Sequence, residues 1–351
     1  MKRFLSNRIA AVAPSGIREF FDLVLESEDI ISLGVGEPDF VTPWSVRDEA
    51  IYRIEKGFLS YTSNKGLTAL RHAISDYLMR QFSIKYGHEE ILITNGVSEG
   101  IDLVIRATIN NGDEVILPEP AYVCYRPLVE LAGGKVCAIN TADTGFIPTI
   151  ESIEAAISER TKMIVLSYPN NPTGQIISFD ELMKIVDLAI SHDILILTDE
   201  IYAELSFEPF KSIATIDRVK NNLIYLNGFS KAQSMTGWRI GYVCGDEMII
   251  DAMNKIHQYS ALCAPTLSQY AAIDACKNID ADVVKMKESY YDRAKFFVNK
   301  MNQIGLETMM PKGGLYCFSS IQSRQVSSMD FCKRLLKTQG VAVIPGNVFG
   351  D

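Results

Sequence analysis

Residues 227–241 read NGFSKAQSMTGWRIG, and this segment decides how the rest of the chain is read. It follows an apolar run at 222–226 (NLIYL) that has the character of a buried strand. Lys231 comes just after that strand, and Arg239 lies eight residues further on. Between them, Ser234, Thr236 and Gly237 are small or turn-prone, so the backbone can fold back and bring the two cations together. On its own, such a pair at a strand end is most simply two solvated charges. The pair also suits a site that needs a nucleophilic amine beside a bound phosphate. A lysine that attacks a carbonyl needs a lowered pKa, and a nearby guanidinium pushes it that way. The same guanidinium can clamp a phosphate with paired donors.

Working outward, strands and helices alternate from residue 90, which argues for an α/β domain around a mainly parallel sheet. A strand at 90–95 turns at Gly96 into a helix that runs through Ile109, with Ser98 as its cap. A helix N-terminus after a glycine turn offers unpaired N–H groups and the positive end of a dipole, a ready phosphate site. The strand at 113–117 stops at Pro118-Glu119-Pro120, so Tyr122 is presented from a loop. Further strands are expected at 134–140 and 163–168, the latter ending in the turn-rich SYPNNPTG of 167–174. The strand at 194–197 leads into TDEIY (198–202). An acid such as Asp199 at the carboxyl end of a strand lies where ligands bind in open α/β sheets, although a helix cap is the simpler role for it.

Near the N-terminus, 15–27 has helical spacing with Ser15 as a cap, followed by IISLGVGEPD at 30–39. Gly34 and Gly36 do not make a dinucleotide fingerprint, because the third glycine position holds Asp39 and Pro38 prevents a helix from opening there. Towards the other end, a helix at 246–260 and a long, mostly helical run at 266–303 lead to a smaller unit. That unit has strands at 311–318 and 341–344 flanking a helix at 329–338.

The 351 residues suffice for a large domain and a smaller one, with a substantial core. A formal charge of −9, without a concentrated basic stripe, argues against a nucleic-acid surface. Seven cysteines without a CxxC pair suit a reducing compartment better than a disulfide framework or a zinc ribbon. The start of the chain lacks the apolar core of a signal peptide, and no run reaches the length of a membrane span. A cytoplasmic protein is expected.

The segment SKAQSMTGWRIG closely resembles the lysine segment of class I, fold type I, pyridoxal-phosphate aminotransferases, S-K-x-x-x-M-x-G-x-R-x-G. GEPDF, SYTSNKG, NNPTG, TDEIY and PGNVFG occur in that family's order, and the likeness covers essentially the whole chain. It is closest to the aspartate, aromatic and N-acetyl-diaminopimelate aminotransferase subgroup. The resemblance implies a mostly parallel seven-stranded large domain at 46–285, an N-terminal arm and part of the small domain at 1–45, and the rest of a smaller α+β domain at 286–351. It implies that Lys231 carries pyridoxal 5'-phosphate as a Schiff base and that Arg239 holds the phosphate, together with Val97, Ser98 and Ser230. Tyr122 would stack on the ring, Asp199 would pair with the ring nitrogen, and Asn171 and Tyr202 would hold the phenolate oxygen. Gly36, with Asn171, would meet the substrate, while Tyr61 would reach the phosphate of a partner subunit in a homodimer.

The implied reaction is ping-pong transfer of an amino group from an L-amino acid to a 2-oxo acid such as 2-oxoglutarate, with an aspartate, aromatic or broad preference. Arg18 and Lys65 are the candidates to meet a dicarboxylate side chain. In the family, PGxxFG is followed by a few dozen residues that include an arginine for the substrate α-carboxylate. This sequence ends at Asp351, so the expected small domain is incomplete. A C–S β-lyase, or a non-catalytic cofactor-binding protein, is the alternative.

Overall fold

A computed structural model describes residues 4–12, 30–34 and 36–350. The helix expected at 15–27, and Arg18 within it, lie outside those residues. A short parallel pair, β1 (Ile31–Ser32) with β9 (Val341–Ala342), joins the two ends of the described chain. The main sheet consists of β2 (Ile91–Thr94), β3 (Glu114–Glu119), β4 (Lys135–Asn140), β5 (Thr161–Ser167), β6 (Leu195–Asp199), β7 (Leu223–Gly228) and β8 (Gly241–Cys244). Their order across the sheet is β2-β8-β7-β6-β5-β3-β4. Only β8 is reversed, pairing antiparallel with β2 and β7, so the sheet is seven-stranded and mostly parallel.

The strands are near-continuous apolar runs because helices cover both faces of the sheet. Alternate residues point to opposite sides. Ile91 and Ile93 join Tyr225 and Tyr242 in one cluster, packed against the helices Thr68–Phe82 and Thr266–Asn278. Leu92, Ile224, Leu226 and Val243 join the opposite cluster, with the helices Val97–Thr108 and Glu247–Ser260. A third cluster packs β5 and β6 against the helix Phe179–Ser191, which opens with a reciprocal capping box between Ser178 and Glu181. Each fully buried Leu or Ile contributes about 1.5–3 kcal/mol. Among the described residues, no helix is long and apolar enough to cross a membrane.

Several local expectations are corrected. The helix after β2 is capped by Gly96, at φ +77°, and begins at Val97, so Ser98 lies in its first turn instead of capping it. β3 continues through Pro118 to Glu119, because pairing to β5 has stopped at Ile116 while pairing to β4 goes on. The mostly helical run expected at 266–303 is present, as two helices, Thr266–Asn278 and Asp280–Gln303, that meet at Ile279. Residues 311–318 form no strand. Gly313 makes a lone bridge to Ser206, and Gly314, at φ +80°, turns the chain away from an extended ladder. β9 covers only the first two residues of the expected strand at 341–344.

Candidate active site

The carboxyl ends of β5, β6 and β7 open onto a cleft of about 960 Å³, within the range of small-molecule sites. Gly36, Asn171, Asp199, Tyr202 and Lys231 line it, and so do Val97, Ser98, Tyr122, Ser230 and Arg239. Residues up to 203 positions apart in sequence thus meet in one place. Tyr61 does not line this cleft and is strongly exposed, at 82%. Lys65 is also elsewhere, held by Asp251 at 2.7 Å and Glu89 at 3.5 Å, so it does not serve a dicarboxylate in this cleft.

The segment after β7 folds back as its composition suggests, but by another device. Gly237 has open space around it, and its φ is not positive. The left-handed backbone falls instead on Ser234 (φ +52°) and Arg239 (φ +51°). Non-glycine residues hold that conformation at a cost of order 1–3 kcal/mol, so their surroundings must impose it. Burial is the main cause that lowers the Lys231 pKa, to about 8; Arg239 adds to the shift, while Glu37 and Asp199 oppose it. The guanidinium is therefore a secondary influence, contrary to what the Lys–Arg spacing alone suggests. The Lys231 ammonium donates a hydrogen bond to the carbonyl oxygen of Gly36.

Arg239 lies against the start of the helix Val97–Thr108. Its Nη2 reaches the carbonyl oxygen of Asn95 at 3.4 Å, and its Nη1 reaches that of Thr236 at 3.2 Å. A side chain on Gly96 would meet the guanidinium at 2.6 Å, and one on Gly241 would meet the Gly96–Val97 backbone at 2.8 Å. The glycines thus let a helix N-terminus, a strand start and a guanidinium converge, the setting in which anions bind. Behind this corner, Glu99 receives the Asn95 amide at 2.5 Å and lies 3.1 Å from Nδ1 of the fully buried His257. Burial pushes the Glu99 pKa up, but the hydrogen bonds from His257 and Asn95 outweigh it and hold the carboxyl below its usual value.

Asp199 closes β6, almost wholly buried, and takes a hydrogen bond from the Tyr125 hydroxyl at 2.7 Å and one from the Ile201 amide at 3.2 Å. Burial raises its pKa to about 6, against the lowering effect of those bonds and of Lys231. It therefore remains mostly a carboxylate at neutral pH. Tyr202 and Asn171 both reach the hydroxyl of Tyr316, at 2.7 Å and 3.5 Å. Tyr125 and Tyr316 carry no distinguishing local pattern in the sequence, and each meets its partner only through the fold. The glycine pair before Tyr316 was the one available signal of a close approach.

The profile of the family described as aminotransferase class I and II matches residues 28–350. The Bacillus subtilis protein YugH is 48% identical over 353 residues, an alignment that spans 100% of this chain and 92% of the relative. An aspartate aminotransferase of Pyrococcus abyssi is 36% identical over 352 residues, spanning 99% of this chain and 90% of the relative. Among solved structures, the Thermus thermophilus aspartate aminotransferase with maleate superposes with a TM-score of 0.95 at 33% identity, covering 98% of this chain and 92% of the other.

Proposed function

The chain belongs to the class I and II aminotransferases, which move amino groups between amino acids and 2-oxo acids with pyridoxal phosphate, and from that premise we propose that Lys231 is the residue that holds the cofactor. One observation carries this reading: a lysine of lowered pKa, a buried carboxylate and a guanidinium at a helix N-terminus line one cleft. These residues fit the cofactor chemically. The anion corner at Gly96 suits a phosphate, and the buried carboxylate of Asp199 in the cleft suits a protonated ring nitrogen.

Bound there, pyridoxal phosphate supplies an electron-accepting ring that stabilises negative charge on the substrate α-carbon. Asp199 would pair with the ring nitrogen. Arg239, with Val97, Ser98 and Ser230, would bind the phosphate, while Tyr122 would face the ring. Asn171 and Tyr202 would donate to the phenolate oxygen. Lys231, as a neutral amine, would take the α-proton of the substrate and give it up again, acting first as base and then as acid. The Gly36 backbone, with Asn171, positions the substrate carboxylate.

The amino donor is an L-amino acid of aspartate, aromatic or broader type, and the acceptor is a 2-oxo acid such as 2-oxoglutarate, in ping-pong order. The division into an arm and part of the small domain at 1–45, a large domain at 46–285 and the rest of the small domain at 286–351 belongs to the same reading. So does a homodimer in which Tyr61 reaches the partner's phosphate; the exposed Trp44, Tyr52, Phe58, Leu59 and Tyr61 support it. All seven cysteines are free, which supports a cytoplasmic setting.

The test is the absorption spectrum of the purified protein with pyridoxal phosphate. Borohydride should fix the cofactor to the wild-type protein and not to Lys231→Ala. Glutamate should bleach the visible band and release a stoichiometric amount of 2-oxoglutarate. A folded protein that binds no cofactor at Lys231 would overturn the assignment.

A further inference from the structure

Tyr316 has no part in the reading above, yet its hydroxyl sits at the meeting point of two residues that do. It lies 2.7 Å from the Tyr202 hydroxyl, with the two rings edge to face at 5.6 Å, and it accepts from Nδ2 of Asn171 at 3.5 Å. On its other side is Gly36, where any side chain would overlap the Tyr316 hydroxyl. Tyr316, half-buried at the wall of the cleft, therefore occupies a polar junction between the loop at 36 and the turn after β6. Both tyrosines keep their protons, because burial raises the pKa of Tyr316 to about 12 and that of Tyr202 well above its usual value.

The hydrogen-bond inventory then gives the junction a direction. An amide nitrogen can only donate, so the Tyr316 oxygen is the acceptor for Asn171. Either hydroxyl can donate in the Tyr202–Tyr316 pair; with the one Tyr202 proton given to the cofactor, the Tyr316 proton is the one that points at the Tyr202 oxygen. A Tyr202 that accepts is free to turn its own proton into the cleft, and accepting makes it a stronger donor, since linked hydrogen bonds polarise one another.

We propose that Tyr316 is a positioning residue that donates to Tyr202 and so aims and strengthens the Tyr202 hydrogen bond to the cofactor's phenolate oxygen. The inference rests on the reading that Tyr202 and Asn171 hold that oxygen. Each donor on the phenolate oxygen weakens its hold on the proton of the adjacent lysine-bound nitrogen. Removing the Tyr316 hydroxyl should therefore raise the pH at which that proton leaves.

The experiment is a pH titration of the visible absorption of the cofactor-loaded protein, for the wild type, Tyr202→Phe, Tyr316→Phe and the double variant. Tyr202→Phe should raise the midpoint, and Tyr316→Phe should raise it by about half a unit to one unit, the effect of one hydrogen bond. The double variant should titrate like Tyr202→Phe alone, because Tyr316 acts through Tyr202. A purely structural role for Tyr316 would lower thermal stability or cofactor content and leave the midpoint in place. If Tyr202→Phe shifts the midpoint and Tyr316→Phe does not, or if the two shifts add in full, the proposal is overturned. If Tyr202→Phe itself leaves the midpoint unchanged, the role read for Tyr202 is wrong, and the role of Tyr316 falls with it.

Discussion

The hydroxyl of Tyr125 donates to Oδ2 of Asp199 at 2.7 Å, inside the core and at the carboxyl end of a central strand. This contact lets a buried carboxylate persist where burial alone would favour its neutral form, and the compromise is a pKa of about 6.

A stability cost at Asp199 follows. Its folded pKa lies above the unfolded value, so the folded state holds the proton more tightly. The associated stability is fully present below about pH 4 and is lost as the pH rises through about 6. Asp199→Asn cannot ionise; its one amide oxygen can accept from Tyr125 or from Ile201, and the bond it gives up costs the same at every pH. The stability of the cofactor-free variant relative to the wild type should therefore rise by roughly 1–3 kcal/mol from pH 4 to pH 7, while it binds the cofactor poorly. Urea denaturation at the two pH values checks this; a relative stability that falls towards pH 7 contradicts it.

Lys231 should capture the cofactor through its neutral amine. With a folded pKa of about 8, the capture rate should climb about tenfold per pH unit up to that value and then level off. Arg239→Gln removes one of the lowering influences and should move the plateau to higher pH. Stopped-flow absorbance reads both, and a wild-type plateau only near the ordinary lysine pKa would refute the role of burial.

At the anion corner, Gly241→Ala forces a methyl group to within 2.8 Å of the Gly96–Val97 backbone. Overpacking of this kind costs about 1–3 kcal/mol and should push the helix N-terminus away from Arg239. Affinity for pyridoxal phosphate should fall by about tenfold or more, while affinity for pyridoxal, which lacks the phosphate, should fall much less. Equal losses for the two ligands would place the damage elsewhere.

Gly36→Ala should slow the half-reaction with glutamate, because its methyl group overlaps the Tyr316 hydroxyl. Adding Tyr316→Phe removes the offending oxygen and leaves ring carbons at 3.1 Å, a milder clash. The double variant should recover part of the lost rate in a single-turnover assay. Additive losses would show that the clash lies with another neighbour.

The apolar runs, the glycine and proline turns and the spacing of Lys231 and Arg239 are local patterns, and they sufficed for the mostly parallel α/β sheet, while the ten residues that line one cleft were named through the family resemblance of the motifs. Periodicity reports which face of an element is buried, and turn residues report where it stops. Neither reports which distant side chain waits on the other side. The corner at Gly96 depends on β8 running backwards between β2 and β7, which brings Gly241 onto the helix start. The bonds from Tyr125 to Asp199, from Lys231 to Gly36 and between Tyr202 and Tyr316 span 74, 195 and 114 positions. Their partners are chosen by packing, after the sheet has formed. The chain's own letters thus determined the elements and the chemical groups at their ends. The tertiary structure alone decided which hydroxyl faces which carboxylate, because a hydrogen bond in a dry core depends on a few tenths of an ångström that no local pattern encodes.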